Sequence, residues 1–348
     1  MGIIALLMLV SAFSTLINRN LILGPCLANP GHIDTAYDNE TYLNVTVIHA
    51  PATINSYDFQ IAATDASRRN GMIDVNTECK FVINITCPNT WQEIDYINIT
   101  AWYDNGNEST TYNQTAGGNL NMFLQYKNTS GTAEYNKIWP ANEVIKGDLI
   151  ETVVNESCHV IELEFTPLYQ VRSAPGNGLW DNTTNATNDL YSWNFKIEVT
   201  TSGGNVTWVK DEYGIYRYCE ISASSSVSAS ALPGNRASTA LGALTITYRA
   251  NAPHKLTVTT NATLDRIGGG DSISRAFINV TGGDIVGEDS LSDGTAYILG
   301  TAGSFHAHSP SNNQETITDV RYHCDIPYGT LAGVYSSKLY YTLQLDTS

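Results

Sequence analysis

The sequence predicts an all-β protein: two immunoglobulin-like or jelly-roll-type β-sandwich domains after an N-terminal signal peptide. Three observations carry this. The 348 residues include 38 Thr and 20 Tyr, residue types that favour strands. Runs that alternate polar and apolar residues recur along the chain, separated by Gly, Pro and Asn turn signals. No helical period follows the first apolar stretch.

In chain order, residues 3–17 are apolar but too short for a membrane span, which needs about 20 residues. They suit the core of a signal peptide, with small side chains before a cleavage point after Ala28. A retained anchor or a pilin-like assembly helix are the other readings. Strands are expected at 43–49, 80–87, 94–103, 122–126 and 159–165. Asn105-Gly106 reads as a two-residue hairpin turn. Residues 173–189 carry Pro, Gly and no apolar period, and read as a linker or long loop. Further strands are expected at 191–201, 205–210, 215–222, 244–249, 255–263, 275–280, 296–299, 316–324 and 335–345. The expected organisation is therefore signal peptide 1–28, a first sandwich 29–172, the linker 173–189 and a second sandwich 190–348.

Acids outnumber bases 34 to 18, for a net charge of -16. Nucleic-acid binding needs a basic face, so that partner is not expected. The remaining polarity is mostly uncharged, with 32 Asn and 27 Ser beside the Thr. Asn-x-Ser/Thr occurs at Asn39, Asn44, Asn84, Asn98, Asn107, Asn113, Asn128, Asn155, Asn182, Asn185, Asn205, Asn261 and Asn279. Composition alone gives roughly six such triplets, so N-glycosylation is expected at several. Half-exposed strands also generate Asn-Val-Thr and Asn-Ile-Thr without any glycan. Asn107, Asn113, Asn182 and Asn185 lie in turn-like stretches and are the best acceptors.

Six cysteines are present. Cys79 and Cys87 flank one strand and are too far apart to bond. The expected disulfides are Cys87–Cys158 and Cys219–Cys324, with Cys79 left over. Hard oxygen ligands Asp284, Glu288, Asp289 and Asp293 crowd a glycine-bearing stretch, which suits Ca²⁺ or simply a solvated acidic loop. Asp265 and Asp271 around three glycines are a weaker version. His306 and His308 could share a metal, but no third ligand is evident. No nucleophile or zinc-hydrolase motif occurs.

Cys87, Trp102 and Cys158 resemble the immunoglobulin Cys…Trp…Cys pattern, with Glu156 where its tyrosine would stand. Residues 211–219 resemble an immunoglobulin F-strand, with Tyr216 one position out of phase. Residues 326–342 (IPYGTLAGVYSSKLYYT) look like the closing hairpin of secreted bacterial and archaeal surface domains. With the Trp-containing strand at 190–199, the chain resembles archaeal secreted cell-surface β-sandwich proteins of the envelope-layer or filament type. That resemblance implies an extracellular, non-enzymatic structural or adhesive protein that associates with itself or other surface components. Strand exchange is one route, with residues 41–49 as the donor. Two alternatives remain: a carbohydrate-binding module with Trp180 or Trp91 in an aromatic platform, and a secreted glycan hydrolase with a carboxylate pair.

Overall fold

The structure, a computed structural model, describes residues 43–69, 71–104, 106–174, 191–307 and 314–346. By its contacts the chain divides into Met1–Val47 and Ile48–Ser348. The first is described only from residue 43, and the expected signal peptide lies outside the described residues.

Two cores form within Ile48–Ser348. The first is built by β1 (Thr53–Ile61), β2 (Ala66–Ser67), β3 (Met72–Ile73), β4 (Cys79–Thr86), β5 (Ile94–Tyr103), β6 (Asn121–Thr129), β7 (Thr132–Trp139), β8 (Val144–Asn155), β9 (Cys158–Pro167), β10 (Trp193–Thr201) and β11 (Val206–Ile215). They make a five-stranded sheet, β2-β1-β4-β9-β8, and a six-stranded sheet, β3-β11-β10-β5-β6-β7. Alternation decides which faces meet. In β4, Phe81, Ile83 and Ile85 turn inward and are fully buried. In β5, Ile97, Ile99 and Ala101 do the same from the opposite sheet. Aromatic rings join the two layers. Phe59 of β1 and Phe81 of β4 meet Tyr213 of β11 and Phe195 of β10, at ring-centroid distances of 5.3 and 5.4 Å. Rings of this size bury the most apolar area per residue, so they dominate the core.

The second core is built from shorter strands: β12 (Cys219–Ala223), β13 (Arg236–Ser238), β14 (Ile246–Ala250), β15 (His254–Thr260), β16 (Thr263–Arg266), β17 (Ser272–Ser274), β18 (Ile278–Gly282), β19 (Ile285–Ser290), β20 (Thr295–Leu299), β21 (Glu315–Ile317), β22 (Arg321–Asp325), β23 (Tyr335–Ser336) and β24 (Leu339–Leu345). They form sheets β12-β14-β21, β13-β22-β18-β19, β20-β15-β24 and β17-β16-β23. Leu256, Val258, Val280 and Ile298 lie at its fully buried centre. No α-helix occurs among the described residues, only three-residue 3₁₀ turns.

Four sequence expectations change. The first core does not end before 173–189: β10 pairs with β5 along its whole length, so Trp193 to Ile215 complete the first sandwich. Alternation marks a strand but not its partner. Residues 43–49 alternate as a strand should, yet no strand forms there. At the expected Asn105-Gly106 turn, Asn105 lies outside the described residues, and no strand forms at 107–109: β5 pairs with β6, and a long loop lies between them. Beyond that turn, Asn107 folds back on itself, accepting from the Ser109 amide and hydroxyl at 3.0 and 2.7 Å. The runs at 316–324 and 335–345 each break into two strands that serve different sheets.

Candidate functional site

Buried charge marks the first candidate. Asp104 follows the end of β5, Glu212 belongs to β11, and Ser192 stands just before β10. Asp104, Glu212 and Ser192 are all buried. The Ser192 hydroxyl lies 3.0 Å from a carboxylate oxygen of both Asp104 and Glu212. Asn194 donates to the other Asp104 oxygen. Lys210 donates to Asn194 and stands 3.6 Å from Glu212. Glu108, from the loop after β5, joins them, and the three acids each bring a carboxylate oxygen within 4.8 Å of the others. Burial pushes the Asp104 carboxyl up to about 6, and the Glu108 charge adds to it. The Ser192 and Asn194 hydrogen bonds and the Lys210 charge oppose this. Lys210, and below about pH 6 a proton on Asp104, therefore offset part of the charge of the three acids. Sequence reading missed this cluster because its members are far apart in the chain, and Glu212 stands beside Lys210 and Asp211 in β11, where an acid draws no notice.

The acids expected to bind calcium do not converge. Asp284, Glu288, Asp289 and Asp293 lie along the β18–β19 turn, β19 and the 3₁₀ turn after it, not on one loop. Glu288 and Asp289 are successive strand residues and face opposite sides. Each acid has its own partner. Asp284 accepts from the Gly300 amide and lies 2.9 Å from His306 Nδ1. Glu288 takes both terminal nitrogens of Arg236. Asp289 accepts from the Tyr297 amide, and Asp293 from the Ser292 hydroxyl. The glycines there answer a packing need. A Cβ on Gly282 would collide with the Asp319 carbonyl, and one on Gly283 with that of Ile298. Asp271, for its part, stitches the β16–β17 turn to the backbone of Leu331 and the Tyr335 hydroxyl. His308 lies outside the described residues.

The disulfide expectation also changes, since all five described cysteines are free thiols. Cys158 sits opposite Thr86 in the β4–β9 ladder. Cys87, one residue on, points to the other face and is buried, so the sheet separates the two sulfurs. Cys219 opens β12 and Cys324 lies in β22, in a different sheet. The immunoglobulin pattern fails for the same reason. Trp102 lies on the face of β5 away from the aromatic core, paired with Asn194 and 6.0 Å from Lys210. The tryptophans within the core are Trp91 and Trp193. Residues 211–219 are not one strand, because β11 ends at Ile215 and β12 begins at Cys219.

The sequons fall into three groups. Asn107, Asn113 and Asn155 are exposed, and each accepts from the amide and hydroxyl of its own Ser or Thr two residues on. Asn44 and Asn261 are exposed as well; Asn84, Asn98, Asn205 and Asn279 are half-buried in or beside strands. Asn128 is buried, donates to the Trp91 carbonyl and accepts from the Gly131 amide, so its triplet serves the β6–β7 turn rather than a glycan. Asn39, Asn182 and Asn185 lie outside the described residues.

Trp91 does not form a sugar platform. It is buried and stacks on His159 at 4.1 Å. Trp180 lies outside the described residues. Asp104 and Glu212 bring carboxylate oxygens within 4.8 Å of each other, but both are buried.

Exposed apolar surface marks the second candidate. Six large apolar side chains among the described residues are at least three-quarters exposed, and four of them are Leu43, Val45, Val47 and Ile48. The 12-residue strand β8 forms one edge of its sheet and exposes Ile145, Ile150, Val153 and Val154. No helix among the described residues is long and apolar enough to cross a membrane.

No protein-family model and no curated protein matches the chain. Among solved structures, the chain is similar to a chaperone–tip adhesion subunit pre-assembly complex of archaic chaperone-usher Csu pili from Acinetobacter baumannii. Identity is 10%, coverage 79% of this chain and 98% of that one, and the TM-score 0.25. It is similar to the C-terminal domain of the antigen I/II-family protein AspA of Streptococcus pyogenes, at 9% identity, 86% and 96% coverage and a TM-score of 0.24. A 35 kDa C-terminal fragment of the major pilin GBS80 of Streptococcus agalactiae follows, at 10% identity, 86% and 92% coverage and a TM-score of 0.21. Scores this low leave function to be read from the chain's own residues.

Proposed function

We propose that the chain is a non-enzymatic structural or adhesive subunit of a cell surface, secreted and N-glycosylated, that self-associates into a filament or layer by strand exchange. Residues 41–49 are the donor. The observation that carries this is at 43–48. The segment alternates Leu43, Val45 and Val47 with Asn44 and Thr46, and its apolar side chains are open to solvent. A strand needs a neighbour for its amides and carbonyls. The segment has strand sequence and no strand structure, which is the condition of a donor awaiting an edge. Its alternation also places Asn44, a sequon, on the face opposite the apolar one. The acidic, Asn- and Thr-rich composition suits an extracellular glycoprotein, and the archaeal resemblance remains part of this reading.

Deletion of residues 41–49 tests it. The intact secreted chain should sediment as large assemblies and the deletion as single copies. Intact protein that sediments only as single copies at native Ca²⁺ would overturn the proposal.

A further inference from the structure

The second core leaves a cleft of about 500 Å³ open on one side. Ala237, Leu264, Ile273, Ile278 and Leu339 are among the residues lining it. No Asp, Glu, Lys or Arg lines it, in a chain of net charge -16. A charged occupant would surrender its hydration there for hydroxyls and His323, with no opposite carboxylate, Lys or Arg to pair it. The cleft therefore favours an uncharged ligand that brings apolar side chains.

One rim is a strand edge and the other an extended segment outside any strand. On one side, β23 is the last strand of sheet β17-β16-β23, so its outer edge is free. On the other, residues 225–231 run past the cleft toward β13. Val227 and Ala231 turn partly inward, while none of the seven residues makes a backbone hydrogen bond among the described residues. A groove with an apolar floor and backbone groups free along its rims suits one more strand: main-chain bonds hold it, and every second side chain enters the floor.

We infer that this cleft is the acceptor for residues 43–48 of a second copy of the chain. The inference rests on the strand-exchange reading above and adds the place where the strand goes. The segment is uncharged, as the floor requires, and presents Leu43, Val45 and Val47 at the spacing of one strand face. Asn44 and Thr46 would then point to solvent, leaving the sequon clear. The other side chains of comparable exposure, Val286 and Tyr328, stand singly. The β8 edge is the competing acceptor, and its lining carries Lys146, Asp148 and Glu151 in strand sequence.

Cys324 lines the cleft and gives the test a native thiol. In full-length protein carrying Cys26→Ser, Cys219→Ser, Val45→Cys and Ile150→Cys, assemblies are treated with a short bismaleimide and the linked peptides identified by mass. The expected product joins the thiol introduced at position 45 of one copy to Cys324 of another. Ala229→Trp, placed at the exposed rim, should lower that product at least tenfold. Assemblies that form normally but link V45C only to I150C on β8, never to Cys324, would overturn the acceptor and leave strand exchange standing. Absence of assemblies in the unmodified chain would overturn both.

Discussion

Asp104 and Glu212 share a single hydroxyl, that of Ser192, at 3.0 Å from each, and both carboxylates are buried. One hydroxyl donates one hydrogen at a time. With Lys210 beside Glu212, the arrangement suits one ionised and one protonated acid.

This gives stability a pH dependence with a definite sign. The Asp104 carboxyl is raised from its usual value near 3.8 to about 6, so the folded chain holds its proton more tightly than the unfolded chain does. Its contribution is complete below the unfolded value and is lost as pH rises through about 6. Asp104→Asn should therefore flatten the fall in stability between about pH 4 and 6, an effect of about 3 kcal/mol. Urea denaturation at several pH values checks it; parallel curves for wild type and variant would refute the shared proton.

Tyr213 carries a different buried polarity. Its ring packs on Phe59 and Phe195, but its hydroxyl is buried without a hydrogen-bond partner. An unsatisfied buried polar group costs about 1–3 kcal/mol. Tyr213→Phe keeps the ring and removes the hydroxyl, so thermal unfolding should shift upward. Phe81→Ala, which empties the same cluster, should lose about 3–5 kcal/mol.

Sequon geometry orders the glycan sites. Exposed Asn107, Asn113 and Asn155 keep their amide nitrogens free of the bonds that fix their oxygens, whereas Asn128 uses both. Peptide mass analysis of native material should find glycans at the first three and none at Asn128.

Free thiols make a further expectation. With Cys87 and Cys158 on opposite faces of one sheet, unfolding midpoints with and without reductant should coincide. A midpoint lowered by reductant would restore a disulfide.

Strand sequence was readable wherever alternation met a two-sided environment. The runs predicted at 80–87, 94–103 and 159–165 are β4, β5 and β9 to within a few residues. Pairing was not readable. Trp193 lies in β10, with four strands between it and β5 in the chain, yet pairs with Tyr103, and nothing local in either segment encodes that choice. Spacing also misled where crowding suggested a site. The acids at 284–293 are close in sequence, but the strand between them turns Glu288 and Asp289 apart. The buried acids Asp104 and Glu212 meet each other and Glu108 only through sheet registry. Residues 43–49 show the opposite case, since their alternation was plain and the missing element was a partner.

Residues 43–48 are proposed to complete a neighbouring copy. Electron cryo-microscopy of native assemblies tests it most directly. The account predicts filaments or a layer in which density for residues 43–48 forms a strand in the cleft between β23 and residues 225–231 of the adjacent copy. Monodisperse single copies, or assemblies in which that segment lies against no neighbouring strand, would contradict it.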